Sequence, residues 1–181
     1  QTGLVAHLVS VLTPELGTQG AGLAAGASGL AAVVGRLAVG WRATGASNWR
    51  AIASCSLVAQ ALGCGVLFLS HENSSILLML GVVLFGLGVG NASSVPPVIA
   101  NLEFSGRDAA RAVALIVAIS QGAYAIAPTV FGLFRQFWPD QLIFITAIVI
   151  QFAAIVTYLV GHRPRTVASH FRTPQTKPGP A

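Results

Sequence analysis

The places where this sequence could do chemistry are the polar side chains set inside long apolar runs. Ser28 stands in Gly26-Ala27-Ser28-Gly29, where a serine hydroxyl could act as a nucleophile if a histidine lay close enough to take its proton. Asn91 and Ser94 are three residues apart and share a helix face, as do Gln121 and Tyr124, so these four could line a cavity with neutral hydrogen-bonding groups. His7 is the one histidine inside an apolar run, and it could relay a proton or hold an anion. Polar groups within a bilayer are costly unless paired or facing water, which makes them the first candidates for function. No charged residue falls mid-span, so substrate contacts must come from neutral polar groups, from histidine, or from a part of the protein beyond this chain.

The nucleophile reading requires a partner. A rhomboid-type protease carries its serine on one buried helix and a histidine on a neighbouring one, and Ser28 resembles such a serine. Yet His71 falls between spans and His162 at a span end, while His7 precedes the serine in a short run without the Gly-rich histidine motif of that family. The alternative for Gly22, Gly26, Ser28 and Gly29 is close helix packing, because small residues three or four apart let two backbones approach within a membrane. Packing is the better account, and no catalytic residue is assigned.

Composition decides the class of fold. The chain is 54% hydrophobic and 8% charged with a mean hydropathy of +0.75, whereas a soluble domain carries roughly 25% charged residues. So much apolar surface is compatible with a bilayer and not with water, and the expected fold class is all-α, a polytopic helical membrane protein. Cys55 and Cys64 are nine residues apart in one apolar run without metal-ligand companions, and the four histidines are scattered, so no metal site is suggested. No dinucleotide or phosphate-loop motif suggests a cofactor or an enzyme. The sequence pI near 10.3 follows from arginines flanking membrane spans and from a basic tail, and calls for no nucleic acid.

Five full spans are expected, at about Thr18 to Ala38, Ala51 to Ser70, Ser75 to Ala100, Ala109 to Phe134 and Leu142 to Val160. The run Gly3 to Leu12 is too short to span and reads as the end of a sixth, closed by the turn Thr13-Pro14-Glu15-Leu16-Gly17. Pro96-Pro97 removes two backbone donors and should break the third full span. With these boundaries, nine of the ten basic residues (Arg36, Arg42, Arg50, Arg107, Arg111, Arg163, Arg165, Arg172 and Lys177) fall on one side and Arg135 alone on the other. Basic flanks are retained inside, so the expected topology has that side and the C-terminus in the cytoplasm. Residues 1–161 form the membrane unit, and 162–181 a basic tail that reads as disordered. Asn73-Ser74-Ser75 matches a glycosylation acceptor pattern in an outward loop, a match that arises often by chance.

Gly35-Arg36-Leu37-Ala38-Val39-Gly40 between two spans resembles the loop between the eighth and ninth helices of the major facilitator superfamily, although Trp41-Arg42 replaces the acidic continuation common there. Leu84 to Asn91 resembles that family's Gly-rich tenth helix, and Ser120 to Pro128 its bending eleventh. The resemblance implies the C-terminal six-helix half of a twelve-helix transporter, with an N-terminal half absent from this chain. It implies transport of a small solute across the cell membrane by alternating access, with an organic anion and a proton as candidate cargo. Gly35, Arg36, Gly40 and Arg42, with Asp108 and Arg111 on a later loop, are the expected gating residues, and Asn91, Gln121, Ser94, Tyr124 and His7 the expected substrate contacts. The competing reading is a membrane protein that does not transport, a remnant or an assembly partner.

Overall fold

The computed structural model describes residues 2–43, 48–70, 75–138 and 141–161. The tail 162–181 with His162, Arg163, Arg165, Arg172 and Lys177, together with His71 and with Asn73 and Ser74 of the acceptor pattern, lies outside these residues. Six helices follow in order: α1 (Thr2–Arg42), α2 (Trp49–Leu69), α3 (Ser75–Ala92), α4 (Val95–Glu103), α5 (Gly106–Phe137) and α6 (Gln141–Val160). Five stretches are long and apolar enough to cross a bilayer: Gly3–Arg42, Trp49–Leu69, Ser75–Glu103, Gly106–Leu133 and Leu142–Val160.

The expected turn before the first full span is a single-residue kink. Helix continues on both sides of Gly17, which adopts φ 68° and ψ 170°, and the short first run joins the first span as α1. Pro14 lacks the N–H that would bond back to the carbonyl of Ser10, so the ladder is already weakened when the chain reaches Gly17. A residue with a Cβ would resist that positive φ. A straight helix of 41 residues would run about 60 Å, twice the roughly 30 Å hydrocarbon layer, and the kink divides it into two segments with different neighbours.

The expected break at the proline pair is present. Pro96 and Pro97 occupy the first turn of α4, where an N–H would have no helical partner, and α3 stops before them at Ala92. In an unbroken helix the carbonyls of Ala92 and Ser93 would accept from residues 96 and 97, which as prolines have nothing to donate.

Helix α3 is central, packed between α1 and α2, and α2 in turn packs on α6. Glycine sets the closeness of these seams. A Cβ on Gly90 would overlap the carbonyl oxygen of Ala32, one on Gly35 that of Leu87, and one on Gly86 would come within 2.5 Å of the carbonyl oxygen of Ser28. On the α2 side, a Cβ on Gly63 would sit 2.5 Å from the backbone nitrogen of Phe85. Gly22, Gly26 and Gly29 behave otherwise: a Cβ there would meet nothing within 4 Å. The close packing expected of them therefore falls instead to the backbone at Ser28, which is itself buried.

Leu4, Leu8 and Leu12 from the first segment of α1 meet Cys64, Leu67, Val82, Phe85, Ile143 and Phe144 in one apolar core. Helix α5 stands apart from this core. It leans on the first segment of α1 and on α4, barely meets α6, and none of its most apolar 18-residue stretch is buried.

Candidate functional site

The break between α3 and α4 creates an unmet need, and Arg36 answers it. The Ser94 N–H turns to the carbonyl of Asn91, leaving Gly90 without its usual backbone donor. Arg36 Nε donates to the Gly90 carbonyl at 2.9 Å and its second terminal nitrogen to Ser93 Oγ at 3.2 Å. A cation at the C-terminal end of α3 also complements that helix's dipole. Arg36 thus ties the end of α1 to the hinge between α3 and α4.

A second arginine ties three more helix ends together. Arg50, in the first turn of α2, holds Glu103 at the end of α4 in a two-pronged ion pair, Nε to Oε1 at 2.6 Å and Nη2 to Oε2 at 2.8 Å. Its remaining nitrogen donates to the carbonyls of Tyr158 at 3.4 Å, in the last turn of α6, and of Gly161 at 2.8 Å, just past its end. The planar guanidinium fork suits this double geometry in a way an ammonium does not.

Between α2, α3, α4, α5 and α6 lies a cavity of about 190 Å³. Ser56, Gln60, Asn91, Tyr124 and Tyr158 contribute polar side chains to a wall otherwise made by residues such as Leu57, Val95 and Ala154. Gln60 is fully buried, and neither its Nε2 nor its Oε1 has a hydrogen-bond partner among the described residues. On the same face of α2, one turn further, Cys64 receives a weak contact from Gln151 Nε2 at 3.9 Å, and Gln151 Oε1 is likewise unpartnered.

The expected substrate residues divide. Asn91 and Tyr124 come together in the cavity wall, and Asn91 also donates to the Gly35 carbonyl at 3.4 Å, joining α3 to α1. Gln121, expected to share a face with Tyr124, is exposed on α5. Ser94 turns back to the Gly90 carbonyl at 3.5 Å within its own chain segment. His7 is part-buried and bonds through Nε2 to the Pro128 carbonyl at 2.9 Å. Because that carbonyl only accepts, Nε2 carries the proton. Ser28 packs on α3 while His7 is engaged with α5, so the two do not form a nucleophile–base pair.

The expected gating set is rearranged. Gly35 and Arg36 sit at the α1–α3 seam, but Gly40 meets open space and Arg42 is exposed beside a shallow apolar groove. Asp108 lies exposed in the first turn of α5, a favourable place for a carboxylate on dipole grounds, and Arg111 is exposed one turn later. The pairing expected among Arg36, Arg42, Asp108 and Arg111 gives way to other contacts: Arg36 is committed to Gly90 and Ser93, and an ion pair forms instead between Arg50 and Glu103. In the sequence Arg50 reads as a topology marker, and Gln60 and Gln151 are not among the expected site residues. A signal for the glutamines was available, since both are amides near the middle of apolar spans.

Five membrane-length helices, glycine-closed seams and a part-polar cavity among them define a polytopic α-helical membrane protein. The family model described as Major Facilitator Superfamily matches residues 2–179, and the chain belongs to that family of membrane transporters. Comparison with curated proteins and with solved structures finds no match.

Proposed function

We propose that this chain is the C-terminal half of a secondary transporter that moves a small solute by alternating access, working against an N-terminal six-helix half. The observation that carries this reading is α5. It is long enough to cross the bilayer, carries Gln121 on an exposed face, and buries none of its most apolar stretch. An exposed amide facing lipid is unfavourable, whereas the same face set against a second half, or against a water-filled path between halves, is satisfied. The hinge between α3 and α4 supports the same reading, because a broken helix beside a cavity can move one end without unmaking the other. Nine basic residues on one side of the expected topology favour a cytoplasmic placement of that side and of the C-terminus, in the cell membrane.

The test is solute uptake into vesicles containing this chain together with a six-helix first half. Uptake per folded molecule should fall sharply in Asn91→Ala and Gln121→Ala. If both variants lower only the amount of folded protein, and uptake per molecule stays the same, the residues belong to folding and the reading fails for them. Uptake unaffected by removing the first half would overturn the two-half proposal.

A further inference from the structure

We propose that the cavity around Gln60 binds a small uncharged molecule bearing an amide or hydroxyl group, with the Gln60 side chain as its hydrogen-bonding anchor. The proposal rests on the transporter reading for its purpose and not for its geometry. Gln60 has zero exposure, yet its amide offers two donors and an acceptor with no partner among the described residues. Buried polar groups left without partners are few in folded proteins, and each calls for an explanation. Here the glutamine forms part of a cavity wall, so a molecule within that cavity can supply the partner.

Size and charge narrow the class. An engineered apolar cavity of about 150 Å³ accepts benzene, so about 190 Å³ suits a single ring with a short polar substituent. The wall is mostly apolar with a few polar groups, the usual composition of a small-molecule site. Among the described residues it contains no Lys, Arg, His, Asp or Glu, and the nearby Arg50 is already occupied by Glu103. An anion would enter without a counter-charge, at a cost a neutral amide avoids. The anion implied by family resemblance therefore finds no support in this wall.

Gly88 gives the anchor somewhere to rest. A Cβ there would overlap Gln60 Cγ and lie 3.0 Å from Gln60 Nε2, so the side chain occupies the space that glycine leaves on α3.

The experiment uses the purified 181-residue chain and three probes of similar size, benzamide, benzoate and toluene, read by the shift in thermal unfolding midpoint and by equilibrium dialysis of labelled benzamide. Benzamide should raise the midpoint saturably, and benzoate should not. Gln60→Leu should bind benzamide about tenfold more weakly while matching or exceeding the unliganded stability of the parent chain, since it replaces an unpartnered amide with an apolar group of similar size. Equal shifts from benzoate or toluene, unchanged benzamide binding by Gln60→Leu, or no response to any probe would overturn the proposal and leave a cavity for water alone. Benzamide uptake by vesicles is scored separately. Gln60-dependent binding without uptake supports the site and counts against the transporter reading, whereas uptake without Gln60-dependent binding leaves the transporter standing and removes the site.

Discussion

Helices α3 and α5 are both long apolar segments of one chain, yet they are held in opposite ways. In the span that contains α3, 44% of the most apolar stretch is buried, and in α5 none is. Helix α3 meets α1 and α2 backbone to backbone, through glycines on which a Cβ would collide with main-chain atoms. Helix α5 is attached near its ends, by His7 bonding to Pro128 and by contact with α4, and along its middle even Gly122 faces open space. Without a strong hydrophobic drive between helices in lipid, close van der Waals approach is what binds them. The contrast therefore separates three closely packed helices, α1, α2 and α3, from one that packs on its neighbours only sparsely.

The sharpest way to break this contrast is Gly90→Val. The added side chain would drive into the Ala32 carbonyl, and because backbone must move the expected loss is about 3 kcal/mol or more, read as a collapse of the monodisperse fraction or a steep fall in denaturation midpoint. A well-folded Gly90→Val would show that the α1–α3 seam is not as tight as described. Next comes Glu103→Ala, which strands the Arg50 guanidinium among α2, α4 and α6. We expect a loss of about 2 kcal/mol, with Arg50→Lys recovering only part of the parent stability because an ammonium cannot make the two-pronged pair.

Arg36→Ala is expected to cost less, about 1 kcal/mol, but to act locally. Hydrogen exchange at residues 91 to 95 should quicken while α2 and α6 stay protected, because the Gly90 carbonyl, which the Ser94 N–H turns away from, loses its capping cation. The smallest effect belongs to Gly122→Ala, which should be neutral or stabilising by about 0.5–1 kcal/mol, since the methyl meets nothing and alanine favours helix. A Gly122→Ala variant as damaged as Gly90→Val would mean that the middle of α5 is packed after all.

Much of the architecture was legible in the sequence because a bilayer imposes simple rules. Five stretches long enough to span and the halt before Pro96-Pro97 each follow from hydrocarbon thickness or missing donors, and each is present. The turn at Gly17 was legible as punctuation, though not as a kink within one continuous helix. The site was less legible. Asn91 and Tyr124 were singled out and meet in the cavity, but their expected companions Gln121 and Ser94 do not, because sharing a face with a neighbour does not say which partner helix that face meets.

Among the described residues, then, the sequence by itself determined an all-helical membrane protein, where its chain breaks at the proline pair, and which residues are small enough for backbones to touch. These are local properties, set by hydropathy over one helix length and by the covalent limits of proline and glycine. Tertiary structure alone decided that Arg36 caps a helix end 54 residues away, that Arg50 chooses Glu103 over Asp108 as its ion-pair partner, and that Gln60 faces a cavity without a partner. Those outcomes depend on which helix faces pack together, and a pairing across dozens of residues leaves no trace in the spacing of either partner.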